Sequence, residues 1–130
     1  MIAQKILVIE DIPINMELVT DLLELAGYKI LQAETAETGI EMARAESPDL
    51  ILMDIGLPGM DGLTATGILK QDRSTKGIPI IALTSHAMKK DKERIMAAGC
   101  DGYVTKPIDT REFPKTVARF IGSIGGSENG

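Results

Sequence analysis

The sequence predicts an α/β domain: a doubly wound, five-stranded parallel sheet with helices on both faces. Three observations lead there. Short apolar runs recur along the chain, helical patterns separate them, and 130 residues, 44% of them hydrophobic and 25% charged, suit one compact domain with a substantial core. Five alternations of strand and helix leave right-handed crossovers onto a parallel sheet as the compact arrangement.

The first strand is Lys5 to Ile9, a run short enough to be buried on both faces. Ile14, Leu18, Leu22 and Leu25 then fall on one helical stripe ending at Gly27, which places the first helix over 14 to 26. Lys29 to Ala33 forms strand two. Helix two follows from Thr38 to Ala45 and stops at Ser47-Pro48, because the residue before proline avoids helical geometry. Strand three, Leu50 to Asp54, leads through a Gly- and Pro-rich turn to a third helix over 62 to 71, with Gly67 inside it at a cost of about 1 kcal/mol relative to Ala. Strand four, Pro79 to Leu83, precedes a charged helix from Met88 to Ala98 that closes at Gly99, and Gly102 to Thr105 forms the last strand. Asp109, with Glu112 three residues on, has the spacing of a capping box, but a helix starting there would lose an internal hydrogen bond at Pro114. The regular part of helix five is therefore expected from near Phe113. Residues 1–121 make the domain, and residues 122–130, with four Gly and two Ser, read as a flexible tail.

Composition excludes several functions. No apolar span approaches the roughly 20 residues of a membrane helix, and Met1 to Lys5 runs into a strand pattern without a signal-peptide signature, so the expected location is the cytoplasm. One cysteine, Cys100, rules out an internal disulfide framework, and a single histidine, His86, rules out the familiar Cys/His zinc patterns. The formal charge of -5 argues against direct nucleic-acid binding, and two Tyr, two Phe and no Trp supply little material for stacking bases or a flavin. Charge is also polarised. Residues 1–62 carry 3 basic and 12 acidic side chains (-9), whereas residues 63–130 carry 11 and 7 (+4).

In such sheets ligands sit beyond the carboxyl ends of the strands. Glu10 and Asp11 follow strand one, Asp54 ends strand three, Thr84 follows strand four and Lys106 follows strand five. Alone, an acidic pair after a strand is an ordinary solvated end. Three converging carboxylates instead repel one another unless a hard cation joins them, and Mg2+ suits such oxygen ligands while sharing its remaining positions with phosphate. Asp54 is the natural nucleophile toward phosphorus, Lys106 can neutralise phosphoryl oxygens, and the Thr84 hydroxyl can donate to them. The turn Ile55-Gly56-Leu57-Pro58-Gly59-Met60-Asp61-Gly62 can aim a backbone carbonyl, such as that of Gly56, at the metal.

With these motifs, Ile6-Leu7-Val8-Ile9-Glu10-Asp11, Met53-Asp54-Ile55-Gly56-Leu57-Pro58-Gly59-Met60-Asp61-Gly62, Ala82-Leu83-Thr84-Ser85 and Tyr103-Val104-Thr105-Lys106-Pro107, the chain to about Ile121 resembles a response-regulator receiver domain of two-component signalling. Ala87-Met88-Lys89 and the region 97 to 107 look most like single-domain cell-cycle regulators and hybrid-kinase receivers. The resemblance implies a flavodoxin-like sheet in the order 2-1-3-4-5 and a cis Lys106-Pro107 peptide. It implies that Asp54 accepts the phosphoryl group, that Asp11, Asp54 and the Gly56 carbonyl bind Mg2+ with Glu10 completing the acidic pair, and that Thr84 and Lys106 grip the phosphoryl oxygens. Tyr103 would then turn inward and change the face of helix four, strand five and helix five. The implied partners are a sensor histidine kinase or histidine phosphotransfer protein and a downstream protein effector. Glu10 stands where Asp is commoner in the family, and Gly56 and His86 occupy positions that tune dephosphorylation.

Three other readings compete. An aspartyl-phosphate phosphatase would carry a second Asp two residues after the nucleophile, where this chain has Gly56. A phosphate-independent scaffold would not need the intact set of site residues. Flavodoxin-like cofactor binding would need a phosphate-cradling Ser/Thr loop and more aromatics. The expected role is a switch that catalyses only its own phosphorylation and dephosphorylation.

Overall fold

The computed structural model describes residues 3–86 and 88–125. Among these described residues ten elements alternate: β1 (Lys5–Ile9), α1 (Pro13–Leu25), β2 (Lys29–Ala33), α2 (Ala36–Glu46), β3 (Leu50–Asp54), α3 (Gly62–Gln71), β4 (Ile80–Thr84), α4 (Lys89–Ala97), β5 (Gly102–Thr105) and α5 (Glu112–Gly125). The strands form one parallel sheet in the order β2-β1-β3-β4-β5, as the resemblance implied. Strand order therefore reverses between β1 and β3, whose carboxyl ends carry Glu10, Asp11 and Asp54.

Two apolar layers sandwich the sheet because successive strand residues point to opposite faces. Leu7 and Ile9 of β1, Ile51 and Met53 of β3 and Ile80 and Ala82 of β4 face α2, α3 and α4, where Ile40, Leu69 and Ile95 meet them. Ile6 and Val8, Leu50 and Leu52, and Ile81 and Leu83 face α1 and α5, where Leu23, Phe113 and Val117 close the second layer. β3 and β4 are buried along their whole length. By contrast, α4 buries Ile95 alone.

Several boundaries differ from the sequence expectation, each for a local reason. β4 begins at Ile80, not Pro79, because proline has no N–H to donate to a ladder, although the Pro79 carbonyl still accepts from Ile51 N at 2.9 Å. Thr84 thus closes the strand. Helix α1 starts at Pro13, whose missing N–H costs nothing in the first turn. Helix α2 starts two residues before Thr38, since the Thr35 hydroxyl accepts the Thr38 N–H at 3.1 Å and caps the helix. Asp109 caps the entry to α5 by accepting from Arg111 N at 2.9 Å and Glu112 N at 3.2 Å. Pro114 falls third in α5, where no intrahelical donor is needed, so the helix begins at Glu112. At its other end α5 continues to Gly125, which makes residues 122–125 helical; the remainder of the expected tail, residues 126–130, and Ala87 lie outside the described residues. Nothing in the structure explains Gly67.

Candidate functional site

The carboxyl ends of β1, β3, β4 and β5 meet in one buried ionic cluster. Glu10 N donates to the Ala33 carbonyl at 3.0 Å, which carries the β1–β2 pairing one residue beyond the strand and draws the Glu10 side chain under the surface. There Glu10 Oε2 accepts the Ile12 N–H at 3.1 Å, and Oε1 lies 3.2 Å from Lys106 Nζ. Asp54 Oδ1 accepts the Gly56 N–H at 2.9 Å, so the turn after β3 orients its own carboxylate, and Oδ2 lies 3.3 Å from the same ammonium. Lys106 is aimed inward by its backbone: its N–H donates to the Thr84 carbonyl at 2.7 Å, extending the β4–β5 ladder, and the following peptide to Pro107 is cis, as expected.

Asp11 completes the cluster. Carboxylate oxygens of Glu10, Asp11 and Asp54 all lie within 4.8 Å of one another, and Asp11 is half-buried. Burial, with the neighbouring Asp54 carboxyl adding to it, pushes the Glu10 pKa above its ordinary 4.5. Burial also acts to lower the Lys106 ammonium, but the charges of Asp54 and Glu10 overcome it and raise the pKa above 10.5. One cation thus serves two carboxylates, and the third is left to water or to a further cation.

The side chains of the switch candidates make their contacts outside the cluster. The Thr84 side chain is buried, but its hydroxyl both donates to the His86 carbonyl at 2.9 Å and accepts the His86 N–H at 3.0 Å. It is engaged by the loop after β4. Tyr103, opposite Ala82 in the ladder, is half-buried against the α2–α3–α4 layer, and Lys92 of α4 places its ammonium 5.5 Å from the ring centroid. His86 is exposed.

Residues 6–118 match the model of the response regulator receiver domain family. The chain belongs to that family. Among its relatives is the polar-differentiation response regulator DivK of Brucella ovis, 41% identical over 119 residues that cover 92% of this chain and 97% of the relative. A putative response regulator from Chloroflexus aurantiacus superposes with a TM-score of 0.89 at 27% identity, covering 93% of this chain and 99% of its own. The receiver domain of a sensor histidine kinase from Pseudomonas aeruginosa PAO1, solved with a magnesium ion coordinated in its active-site cleft, gives 0.86 at 33% identity with the same coverages.

In this receiver the donor set suits a hard divalent cation: three carboxylates, no sulfur or imidazole ligand among them, and a spacing short enough for one ion to bridge. Every buried side-chain polar atom among the described residues has a hydrogen-bond partner. The structure brings together Glu10, Asp11, Asp54 and Lys106 by side chain and Gly56 by its N–H. It sets Thr84 and Tyr103 nearby, the first bonded to the His86 backbone and the second half-buried beneath Lys92. Sequence reasoning missed Lys92, because no pattern links a lysine on α4 to a strand tyrosine. It also passed over Gly62 and Thr66, although a glycine at the first position of a helix is a visible oddity. No helix among the described residues of the receiver is long and apolar enough to cross a membrane.

Proposed function

We propose that this receiver is a phosphorylation-dependent switch that accepts a phosphoryl group onto Asp54 in the presence of Mg2+. The donor is a phosphohistidine on a sensor histidine kinase or histidine phosphotransfer protein in the cytoplasm. Support comes above all from one juxtaposition: Asp54, carried at the end of β3 within 4.8 Å of two further carboxylates, lies 3.3 Å from the Lys106 ammonium. A nucleophile, a cation site and a phosphoryl-binding cation there share one small space.

In the transfer, an Asp54 oxygen attacks phosphorus, the P–N bond to the donor imidazole breaks as the new P–O bond forms, and the imidazole leaves with the electron pair and takes a proton from solvent. Bound Mg2+ would neutralise charge on the phosphoryl oxygens, held by Asp11, Asp54 and the Gly56 carbonyl with Glu10 completing the acidic pair. Gly56 N–H steadies the acceptor carboxylate, and Lys106 follows the negative charge from carboxylate to phosphoryl oxygen. Thr84 leaves the His86 backbone to donate to the phosphoryl group. Space vacated by its hydroxyl lets Tyr103 move inward, and the face of α4, β5 and α5 changes for a protein effector. The phosphoryl group shifts this equilibrium only by as much as it favours the second state.

The donor's approach has a matching surface. Ile12, Ile14 and Leu18 at the start of α1 are exposed beside the cluster, Ile14 to 72%, in a segment where Asp11, Glu17 and Asp21 supply negative charge. A donor helix with an apolar face and basic flanks fits there. Intact mass after incubation with a small-molecule phosphodonor tests the reading. It requires a gain of one phosphoryl group that disappears in Asp54→Asn and in chelator; a folded wild type that gains none from the small donor or from a phosphorylated kinase refutes it.

A further inference from the structure

We propose that Gly62 is a positioning residue for the phosphoacceptor, held in place by Thr66. The proposal rests on the reading of Asp54 just given and adds to it the device that fixes this side chain relative to the cation site. Gly62 is the first residue of α3 and is buried. A Cβ at this position would run into the Asp54 carbonyl oxygen, lie 2.7 Å from Ile55 Cα and lie 3.0 Å from the Asp54 carbonyl carbon. All three are backbone atoms, so no side chain can rotate away to make room. The first turn of α3 sits directly on the Asp54–Ile55 peptide because position 62 has no side chain.

Thr66 fixes that seat from the other side. Its hydroxyl, fully buried, donates to the Gly62 carbonyl at 2.8 Å, and the Cys100 sulfur lies 3.8 Å from the Thr66 hydroxyl oxygen. Gly62 N in turn points to the Ile55 carbonyl at 3.4 Å. Asp54 is thus gripped twice, by Gly56 N–H on its carboxylate and by Gly62 against its main chain. Adding a methyl group forces the Asp54–Ile55 backbone and the start of α3 apart, since Ile55 Cα at 2.7 Å is closer than the 3.0 Å within which real Cβ contacts essentially never fall. Misplacement of the nucleophile in this way costs a site of this kind about tenfold or more in rate.

The same helix supplies its own control. A Cβ added at Gly67 would meet nothing within 4 Å, so Gly67→Ala makes the same chemical change five residues away with no contact to disturb. We expect Gly62→Ala to weaken Mg2+ binding by calorimetry and to slow acyl-phosphate formation by intact mass, each by about tenfold, while Gly67→Ala holds both within about twofold of wild type. Far-UV circular dichroism establishes the folded fraction in each case. A folded Gly62→Ala with wild-type Mg2+ affinity and phosphorylation rate overturns the proposal, as does an equal loss in Gly67→Ala. Should Gly62→Ala fail to fold, Thr66→Val removes only the hydroxyl donor: loss of Mg2+ affinity that Thr66→Ser restores supports the proposal, and unchanged affinity in Thr66→Val overturns it. A wild type that takes neither Mg2+ nor phosphoryl group brings down the functional reading, and this inference with it; a loss confined to the variants concerns positioning alone.

Discussion

Replacing the phosphoacceptor Asp54 by Asn should stabilise the fold in the absence of divalent cation and remove the stabilisation that cation gives. Asp54 repels two carboxylates within 4.8 Å, each worth at least about 3.5 kcal/mol at an effective dielectric of about 20, or about 7 kcal/mol together. Against this stands one attraction to Lys106 at 3.3 Å, about 5 kcal/mol on the same scale. Asn keeps an acceptor for the Gly56 N–H but loses its charge assistance, a further cost of about 1 kcal/mol. The balance favours Asp54→Asn by about 1 kcal/mol in chelator, equivalent to about 4 °C in Tm for a domain of this size. Mg2+ reverses the order, because wild type gains about 2.7 kcal/mol at a free concentration of about 100 times Kd and the variant has lost a ligand. Thermal melts of both proteins in chelator and in Mg2+ read this directly. An Asp54→Asn protein that melts below wild type in chelator, or a wild type whose Tm ignores Mg2+, refutes the reasoning.

Phe113, only 2% exposed, seats α5 on the sheet, and Phe113→Ala should cost about 3–5 kcal/mol in urea unfolding; a loss below about 1 kcal/mol would show that α5 docks by other contacts. Because burial and Asp54 raise the Glu10 pKa, the metal-free folded protein binds more protons than the unfolded chain between pH 4.5 and that raised value. Stability in chelator should therefore rise as pH falls from neutral through this window, and Glu10→Gln should flatten the slope in urea melts taken on either side of it. Lys106→Ala should still gain a phosphoryl group from a small donor but leave the Tyr103 ring signals unmoved in NMR spectra, where only two tyrosines compete. Ring shifts as large as those of the phosphorylated wild type would remove Lys106 from the coupling.

Much of this architecture is legible in the residues themselves. Runs such as Leu50 to Asp54 announce doubly buried strands, and their carboxyl ends name Glu10, Asp11, Asp54 and Lys106 because a parallel sheet gathers those ends at one edge. What escaped lies in local hydrogen bonding. Pro79 reads as part of an apolar run, yet its missing donor moves the strand start to Ile80, and Thr35 sits outside the apolar period while its hydroxyl decides where α2 begins. Pro114 looks like a helix breaker until the helix start is known. The engagement of the Thr84 hydroxyl with His86 and the perch of Lys92 over Tyr103 depend on side-chain directions that residue spacing does not encode.

The single buried residue of α4 sets how readily that helix can leave the sheet. Ile95 is its only fully enclosed side chain, so lifting the helix forfeits about 1.5–3 kcal/mol of apolar burial, a fraction of what separating β3 from β4 would require. With so little apolar area holding it, α4 is the helix expected to open locally most readily. Amide protons of α4 should accordingly exchange with deuterium through local opening while those of β3 and β4 wait for global unfolding.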